Sequence, residues 1–379
     1  MKVLVLSAAY PKNDGSVAMY YVHARNCYYL QEGIEVNVLN FSACEEYIID
    51  GIKVFGLKQY EESFRNVKYD ILILHAANIK YHYKFIKNYG QLFPQFLFFF
   101  HGHEVLRCSK VYSKPYDYVK TENSIYKMAK DCYDIFKLKF WKKQFVKYLD
   151  KSWFVFVSNW MFDEFQKWVG LNACDLKDQY SIIYNCVGQA FETESYHADD
   201  NKKYDYVSIR SDFDGSKYGV DIVCRLAEEN PDKKFYLLGK GEYFKHRKKP
   251  DNLLVEQMYL NHQKVMEILN ESRCALMPTR TDAQGVMACE MATFGIPLIT
   301  SDIAVCREVF QDFDNVGYIS NDTKNIPLEQ IYQEIAKKKR MEKNKKYFSC
   351  NTSGKEVELL KQLYKKKGEE NERTVIKEN

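Results

Sequence analysis

The chain has 379 residues, too many for one ordinary core, so two domains are expected. A hydrophobic share of 46% beside 28% charged residues describes a soluble globular protein, and a net charge of +4 argues against a dedicated nucleic-acid binder. The 11 cysteines stand singly, without a CxxC pair, and read as reduced interior thiols, not a disulfide framework.

The opening MKVLVLSAAYP holds an apolar run too short for a signal peptide. No stretch approaches the ~20 apolar residues that span a bilayer. A cytoplasmic protein is the expectation. Lys2–Ser7 reads as a buried strand, followed by the turn 11–16, a helix over Val17–Gln31 and a strand over Glu35–Phe41. This βαβ opening puts Gly15 and Ser16 at a helix start, where the backbone can approach a phosphate or sugar. Tyr69–His75 and Gln95–Phe100 are further strands, the second ending in His101-Gly102-His103-Glu104. Titratable residues at the carboxyl end of a parallel strand stand where open α/β sheets build sites.

The segment Thr121–Leu149 has a helical pattern, with Met128, Cys132, Ile135, Phe136, Phe140, Phe145 and Leu149 on its apolar side and interleaved lysines, Lys137 among them. Such a helix either presents a solvated lysine face or lies on an anionic membrane surface. Phe154–Ser158 is the next strand, and Ser158-Asn159 caps a helix over Trp160–Trp168.

Tyr180–Tyr184 leads into Asn185-Cys186-Val187-Gly188, taken as the domain crossing, and a second α/β domain starts with Tyr204–Arg210. After the loop 211–216, Lys217 begins a helix carrying Val220, Ile222, Val223 and Leu226. Arg210 at a strand end and Lys217 at a helix start suit a diphosphate. Asp212-Phe213-Asp214 reads as a turn, not a metal site, and no metal ligands are assigned. Strand 235–238 ends in Gly239-Lys240-Gly241, which lets a ligand come close. Strand 253–256, helix 263–269 and strand 274–277 lead to the central stretch Thr279–Thr300, TRTDAQGVMACEMATFGIPLIT. It reads as polar loop, helix and strand, with Asp282 and Gly285 in the loop and Glu290 on the helix. Helices over 328–338 and 355–364 follow, then a charged tail.

In order, SIRSDFDGSKYG, LLGKGE, MPTRTD, CEMATFGIPLITSD and REVF resemble the C-terminal domain of glycosyltransferase family 4, the retaining group with the GT-B fold. The resemblance is strong over Ser208–Phe310 and weaker in the first half, where it rests on FFFHGHE, VSNWM and IIYNCVG. It implies an α/β fold of two facing Rossmann-like domains with an inter-domain donor cleft. Residues 1–185, joined by the C-terminal helix 355–366, would form the acceptor-side domain and 186–350 the nucleotide-sugar domain, with 367–379 a flexible tail.

The function implied is transfer of a hexose from a UDP- or GDP-linked sugar to a glycan or lipid-linked acceptor, with retention of configuration. The process would be cell-surface polysaccharide or glycoconjugate synthesis, with no metal or further cofactor and peripheral contact with an anionic membrane on its cytoplasmic face. Carried over residue by residue, Arg210 and Lys217 would clamp the diphosphate and Glu290 would hold the ribose hydroxyls. Asp282 would contact the transferred sugar, with the amides of Ala283, Gln284 and Gly285 and the helix start at Val286 around the phosphate. Gly15 and Gly239 would line the donor, and His101 would face its sugar. Asp282 replaces the family's usual Glu and is one methylene shorter. Gly15-Ser16 stands for a common double glycine, and NCVG for Asn-Gly-Val-Asp. The same frame also serves sugar-nucleotide epimerases, phosphorylases and inactive sugar-nucleotide-binding or glycan-binding subunits.

Overall fold

Lys2–Ser7 forms the first strand, β1, of the computed structural model. The structure describes all residues except 14–17, 120–123, 200, 259, 339–341 and 379, and except the side chains of 367–378. It divides into two compact units: Met1–Arg107 with Tyr133–Cys186 and Ser349–Asn379, and Cys108–Cys132 with Val187–Phe348.

In the first unit, β1 is followed by β2 (Glu35–Asn40), β3 (Tyr47–Ile49), β4 (Ile52–Phe55), β5 (Ile71–His75), β6 (Gln95–Phe100), β7 (Ser152–Phe156) and β8 (Tyr180–Ile182). They form one sheet in the order β3-β4-β2-β1-β5-β6-β7-β8, parallel except where β3 meets β4. Strands covered by helices on both faces read as unbroken apolar runs. FLFFF over Phe96–Phe100 is such a run. Because side chains alternate, Phe98 packs toward Trp141 and Phe145, whereas Phe99 turns to the other face beneath the Arg25 guanidinium, 4.9 Å from its ring. The chain leaves β1 for β2 on one side and returns to β5 on the other. That makes the β1/β5 boundary the switch point.

The second unit carries β9 (Tyr204–Arg210), β10 (Phe235–Gly239), β11 (Leu253–Gln257), β12 (Ser272–Met277), β13 (Leu298–Ser301) and β14 (Val316–Ile319). They form an all-parallel sheet in the order β11-β10-β9-β12-β13-β14, with its switch point between β9 and β12.

Four expectations change. Residues 108–132 belong to the second unit, although the sequence puts them inside 1–185. Their aromatic and hydroxyl groups attach there: Tyr116 Oη donates to Asp221 at 2.7 Å, and Tyr118 Oη to Asp214 at 2.7 Å. Lys217 stands in a short 3-10 turn, Ser216–Tyr218, because Gly219 at φ 66° breaks the chain before the Val220–Glu229 helix begins.

The Ser124–Lys147 helix follows its expected face only in part: Phe145 is buried and most of the lysines are exposed, as read, but the N-terminal half of the expected apolar side is not buried. Its buried face carries Leu138, Trp141 and Phe145 with Asp134, Lys137 and Gln144, while Met128, Cys132 and Phe136 face outward. Lys137 pairs with Asp134 at 2.7 Å and donates to the carbonyls of His103 and Leu106, so it ties down the loop after β6. Trp141 and Phe145 meet the Phe-rich β6, which turns Trp141 inward beside the one stripe residue, Phe145, that shares this face. The C-terminal helix begins at Ser353, and its backbone continues to Glu378, through the stretch expected as a tail.

Candidate functional site

The second unit gathers its predicted residues at the carboxyl edge of β9 and β12. Arg210 ends β9 and is 7% exposed; its Nη2 donates to the Pro278 carbonyl at 2.6 Å, and its Nε has no partner. Burial pushes the guanidinium down to about 10, opposed chiefly by the Asp282 carboxylate, so it stays cationic at neutral pH. A buried N–H without an acceptor is costly, and here it lies where an incoming anion is expected. The neighbouring β10 must end in glycine. A Cβ on Gly239, at φ 151°, would stand 1.8 Å from the Arg210 carbonyl. Lys217 Nζ lies 4.8 Å from the Tyr218 ring and 5.5 Å from the Tyr112 ring, a cation held by aromatic faces.

The loop after β12 is fixed from below. Arg280 forms a two-pronged pair with Asp221, at 2.9 and 2.6 Å, and donates to the Ser216 carbonyl. Thr279 N–H donates to Ser301 Oγ at 2.8 Å. Gly285, at φ 76°, turns the chain into the Val286–Phe294 helix, whose start faces the same edge. Asp282 Oδ1 accepts from the amides of Ala283, at 2.8 Å, and Gln284, at 3.3 Å. These are two of the amides expected around a phosphate. Its carboxylate is therefore turned onto its own loop.

Glu290 lies one turn into that helix and is 4% exposed. Its Oε1 accepts from the Gly188 amide at 3.1 Å and lies 3.5 Å from His262 Nε2. Burial raises the carboxyl to about 7, offset by the Gly188 hydrogen bond, and burial also lowers the His262 imidazole below its ordinary value. The sequence reading missed both Gly188 and His262 as neighbours of Glu290. They come from the turn before 189 and the start of the His262–Asn270 helix, far away in sequence. A Cβ on Gly188 would stand 2.3 Å from the His262 ring, which fixes glycine there.

Asp212 and Asp214 are engaged as a turn. Asp212 Oδ1 accepts from the Asp214 amide at 2.9 Å, and Asp214 Oδ2 from the Glu242 amide at 2.8 Å.

In the first unit, His101 follows β6, and its Nε2 lies 3.0 Å from Nδ1 of His75, the last residue of β5. His75 is fully buried, its Nε2 lacks a partner, and its ring stacks on Phe99 at 4.5 Å. Burial and the Arg25 charge hold both imidazoles well below the ordinary histidine range, so they are neutral. His101 N–H donates to Glu104. His75 was not singled out from the sequence; it ends YDILILH, one strand over from FFFHGHE. Arg25 pairs with Glu356, both side chains wholly buried, at 3.0 Å, and donates to Asn185 at 3.1 Å. Tyr29 also donates to Glu356. Gly15 lies outside the described residues.

Residues 200–352 match the family model of glycosyl transferases group 1. No curated protein matches the sequence. Among solved structures, the chain is similar to sucrose-phosphate synthase from Thermosynechococcus elongatus, with a TM-score of 0.63 and 12% identity over 99% of both chains. It is similar to a glycosyltransferase from Rickettsia africae, with a TM-score of 0.65 and 10% identity over 96% of this chain and 98% of that one. Anabaena HepE in complex with UDP and glucose gives a TM-score of 0.61 and 11% identity over 98% of this chain and 100% of that one. The fold is thus that of the GT-B glycosyltransferases: two α/β domains built on parallel sheets.

Proposed function

We propose that the protein is a retaining glycosyltransferase that moves a hexose from a UDP- or GDP-linked sugar to a glycan or lipid-linked acceptor. The observation that carries this reading is the buried Arg210 Nε without a partner, at the β9/β12 switch point and beside the start of a helix. Fixed cations and a helix start stabilise charge as it develops on a departing nucleoside diphosphate. Arg210 and Lys217 take the diphosphate. Glu290 accepts the ribose hydroxyls. Asp282 and the 283–285 loop serve the sugar and its phosphate, with the sugar-contacting role of His101 kept for the first unit. No step in this scheme needs a metal. The reading places the enzyme in cell-surface polysaccharide or glycoconjugate synthesis and agrees with the HepE complex, whose ligands are UDP and glucose.

Glu290 gives this reading a pH signature. Burial raises its folded value to about 7, above the ordinary 4.5 of a glutamate, so its stabilising contribution is complete below about 4.5 and is lost as pH rises through 7. Ribose hydroxyls donate to the ionised form, so donor binding gains between pH 6 and 8 and releases a proton. Thermal-shift titrations with a panel of UDP- and GDP-sugars are expected to show one donor that raises Tm, by mass action, with an affinity several-fold higher at pH 8. A flat pH response, or no responding donor, counts against the assignment.

Peripheral membrane contact belongs to the same proposal. Ile125, Met128 and Phe136 on the Ser124–Lys147 helix are 68%, 64% and 57% exposed, beside the exposed Lys139, Lys142, Lys143 and Lys147. Apolar side chains with adjacent lysines suit an anionic interface, each lysine contributing about 1 kcal/mol near the surface. The protein is expected to float with phosphatidylglycerol vesicles and not with phosphatidylcholine alone, and the M128D/F136D variant to stay in the pellet fraction. Equal recovery of parent and variant would remove the membrane from the scheme.

A further inference from the structure

The first unit holds a cluster of metal-ligating side chains that the donor chemistry does not use. His23 and Cys27 are four residues apart on the Tyr20–Gln31 helix, so one helical turn brings them to the same face. Asp50 comes from the β3–β4 hairpin. Its Asp50-Gly51 turn has both residues at positive φ, 46° and 79°, the backbone that Asp-Gly favours in two-residue hairpins. One ligand atom from each residue lies within 4.8 Å of the other two. His23 Nε2 is 2.8 Å from Asp50 Oδ2 and 3.5 Å from Cys27 Sγ. A tetrahedral ion with bonds of 2.0–2.3 Å separates its ligand atoms by roughly 3.3–3.6 Å. The helix pair already has that spacing. Asp50 must recede by about half an ångström, and its side chain is 71% exposed and free to do so.

The surroundings fit a coordinated imidazole. His23 is buried, and its other nitrogen, Nδ1, lies 2.9 Å from Tyr10 Oη, which is 3.0 Å from the Asn26 side-chain amide. Tyr10 and Asn26 are buried too, and Asn26 Oδ1 lacks a partner. An ion on Nε2 requires the ring proton on Nδ1, donating to Tyr10. Tyr10 O–H then donates onward to Asn26 Oδ1, once that amide turns over. The Tyr10 hydroxyl thereby accepts from His23 and donates to Asn26. Oriented imidazole ligands of this kind are the rule in metal sites.

We propose that His23, Cys27 and Asp50 bind a zinc ion that ties the β3–β4 hairpin to the first helix, with water at the fourth position. On binding, Cys27 loses its thiol proton to solvent, the imidazole proton moves from Nε2 to Nδ1, and the carboxylate enters ionised. The sum of +2, −1 and −1 leaves the site neutral, as a half-buried position requires. A thiolate, an imidazole and one carboxylate favour zinc over magnesium or calcium. The exposed Asp50 marks the entry path. The site is independent of the glycosyl-transfer reading, because none of its residues belongs to the donor set.

Cobalt titration of the full chain tests it directly. One equivalent of Co2+ is expected to give a thiolate charge-transfer band with a dissociation constant in the micromolar range or below. Since ten other cysteines are present (11 in all, less Cys27), variants decide where the ion binds. Cys27→Ser removes the band, and Asp50→Asn, at an exposed position, weakens binding at least tenfold. Zinc raises the Tm of the parent and leaves that of Cys27→Ser unchanged, while the metal-free Tm values of the two agree. Absence of a stoichiometric band, or a band that persists unaltered in both variants, overturns the proposal.

Discussion

Replacing Glu290 by Gln is expected to lower glycosyl transfer between about thirtyfold and a thousandfold, the loss of two hydroxyl hydrogen bonds to a carboxylate at about 2–4 kcal/mol together. The amide oxygen still accepts from Gly188, so melting of the free protein should change little at pH 6. Glu290→Ala is a blunter probe. It leaves the Gly188 amide buried without an acceptor and opens space beside His262. A stability loss of about 1–3 kcal/mol then accompanies any loss of activity. The measurement is nucleoside diphosphate release in the presence of donor and acceptor, with Tm as the fold control. Undiminished release by the Gln variant would remove Glu290 from the ribose site.

The second large effect concerns stability. Glu356→Ala leaves Arg25 as a buried, uncompensated cation and strips Tyr29 of its acceptor. The expected cost is about 3–5 kcal/mol, a large part of the ~5–15 kcal/mol that holds a domain folded. Urea denaturation should show the midpoint of the first unit falling sharply. The double variant Arg25→Met/Glu356→Leu removes both charges and should recover most of the loss. If the double variant is as weak as the single one, the pair is not what the region depends on.

Both sheets were legible wherever a strand is buried on both faces. Lys2–Ser7, Gln95–Phe100 and Tyr204–Arg210 have the same limits in the sequence reading and in the structure, because an apolar run bounded by polar residues leaves little choice. The β3–β4 hairpin went unread, although Asp50-Gly51 between YII and IKVF carries the signal of a two-residue turn. The Ser124–Lys147 helix was read correctly at Phe145 and at most of its lysines, but Met128, Cys132, Phe136 and Lys137 were put on the wrong side. Periodicity counts apolar residues but does not know that Lys137 will be drawn inward by Asp134 and two carbonyls.

At the carboxyl edge of β9 and β12, the linear order of Arg210, Lys217, Asp282 and Glu290 was visible as a motif. Their partners were not. His262 and Gly188 meet Glu290 only through the fold, and the use of Asp282 as acceptor for its own loop amides depends on local geometry that residue type alone leaves open. The shortened acid of the sequence thus becomes a group already holding the amides that a phosphate would need. Donor entry would exchange one anion for another.

The pairing of Arg25 with Glu356 also bears on the order of synthesis. The first 107 residues emerge from a ribosome early, yet the carboxylate that neutralises their buried guanidinium is 331 positions further on. Chains usually fold unit by unit as they are made. Here the earlier unit must wait with an unpaired charge at its centre while the later one is completed. Conditions that slow elongation through the second half should therefore expose the nascent first half to chaperones and proteases for longer, and the finished chain should gain protection abruptly once Glu356 is free of the exit tunnel.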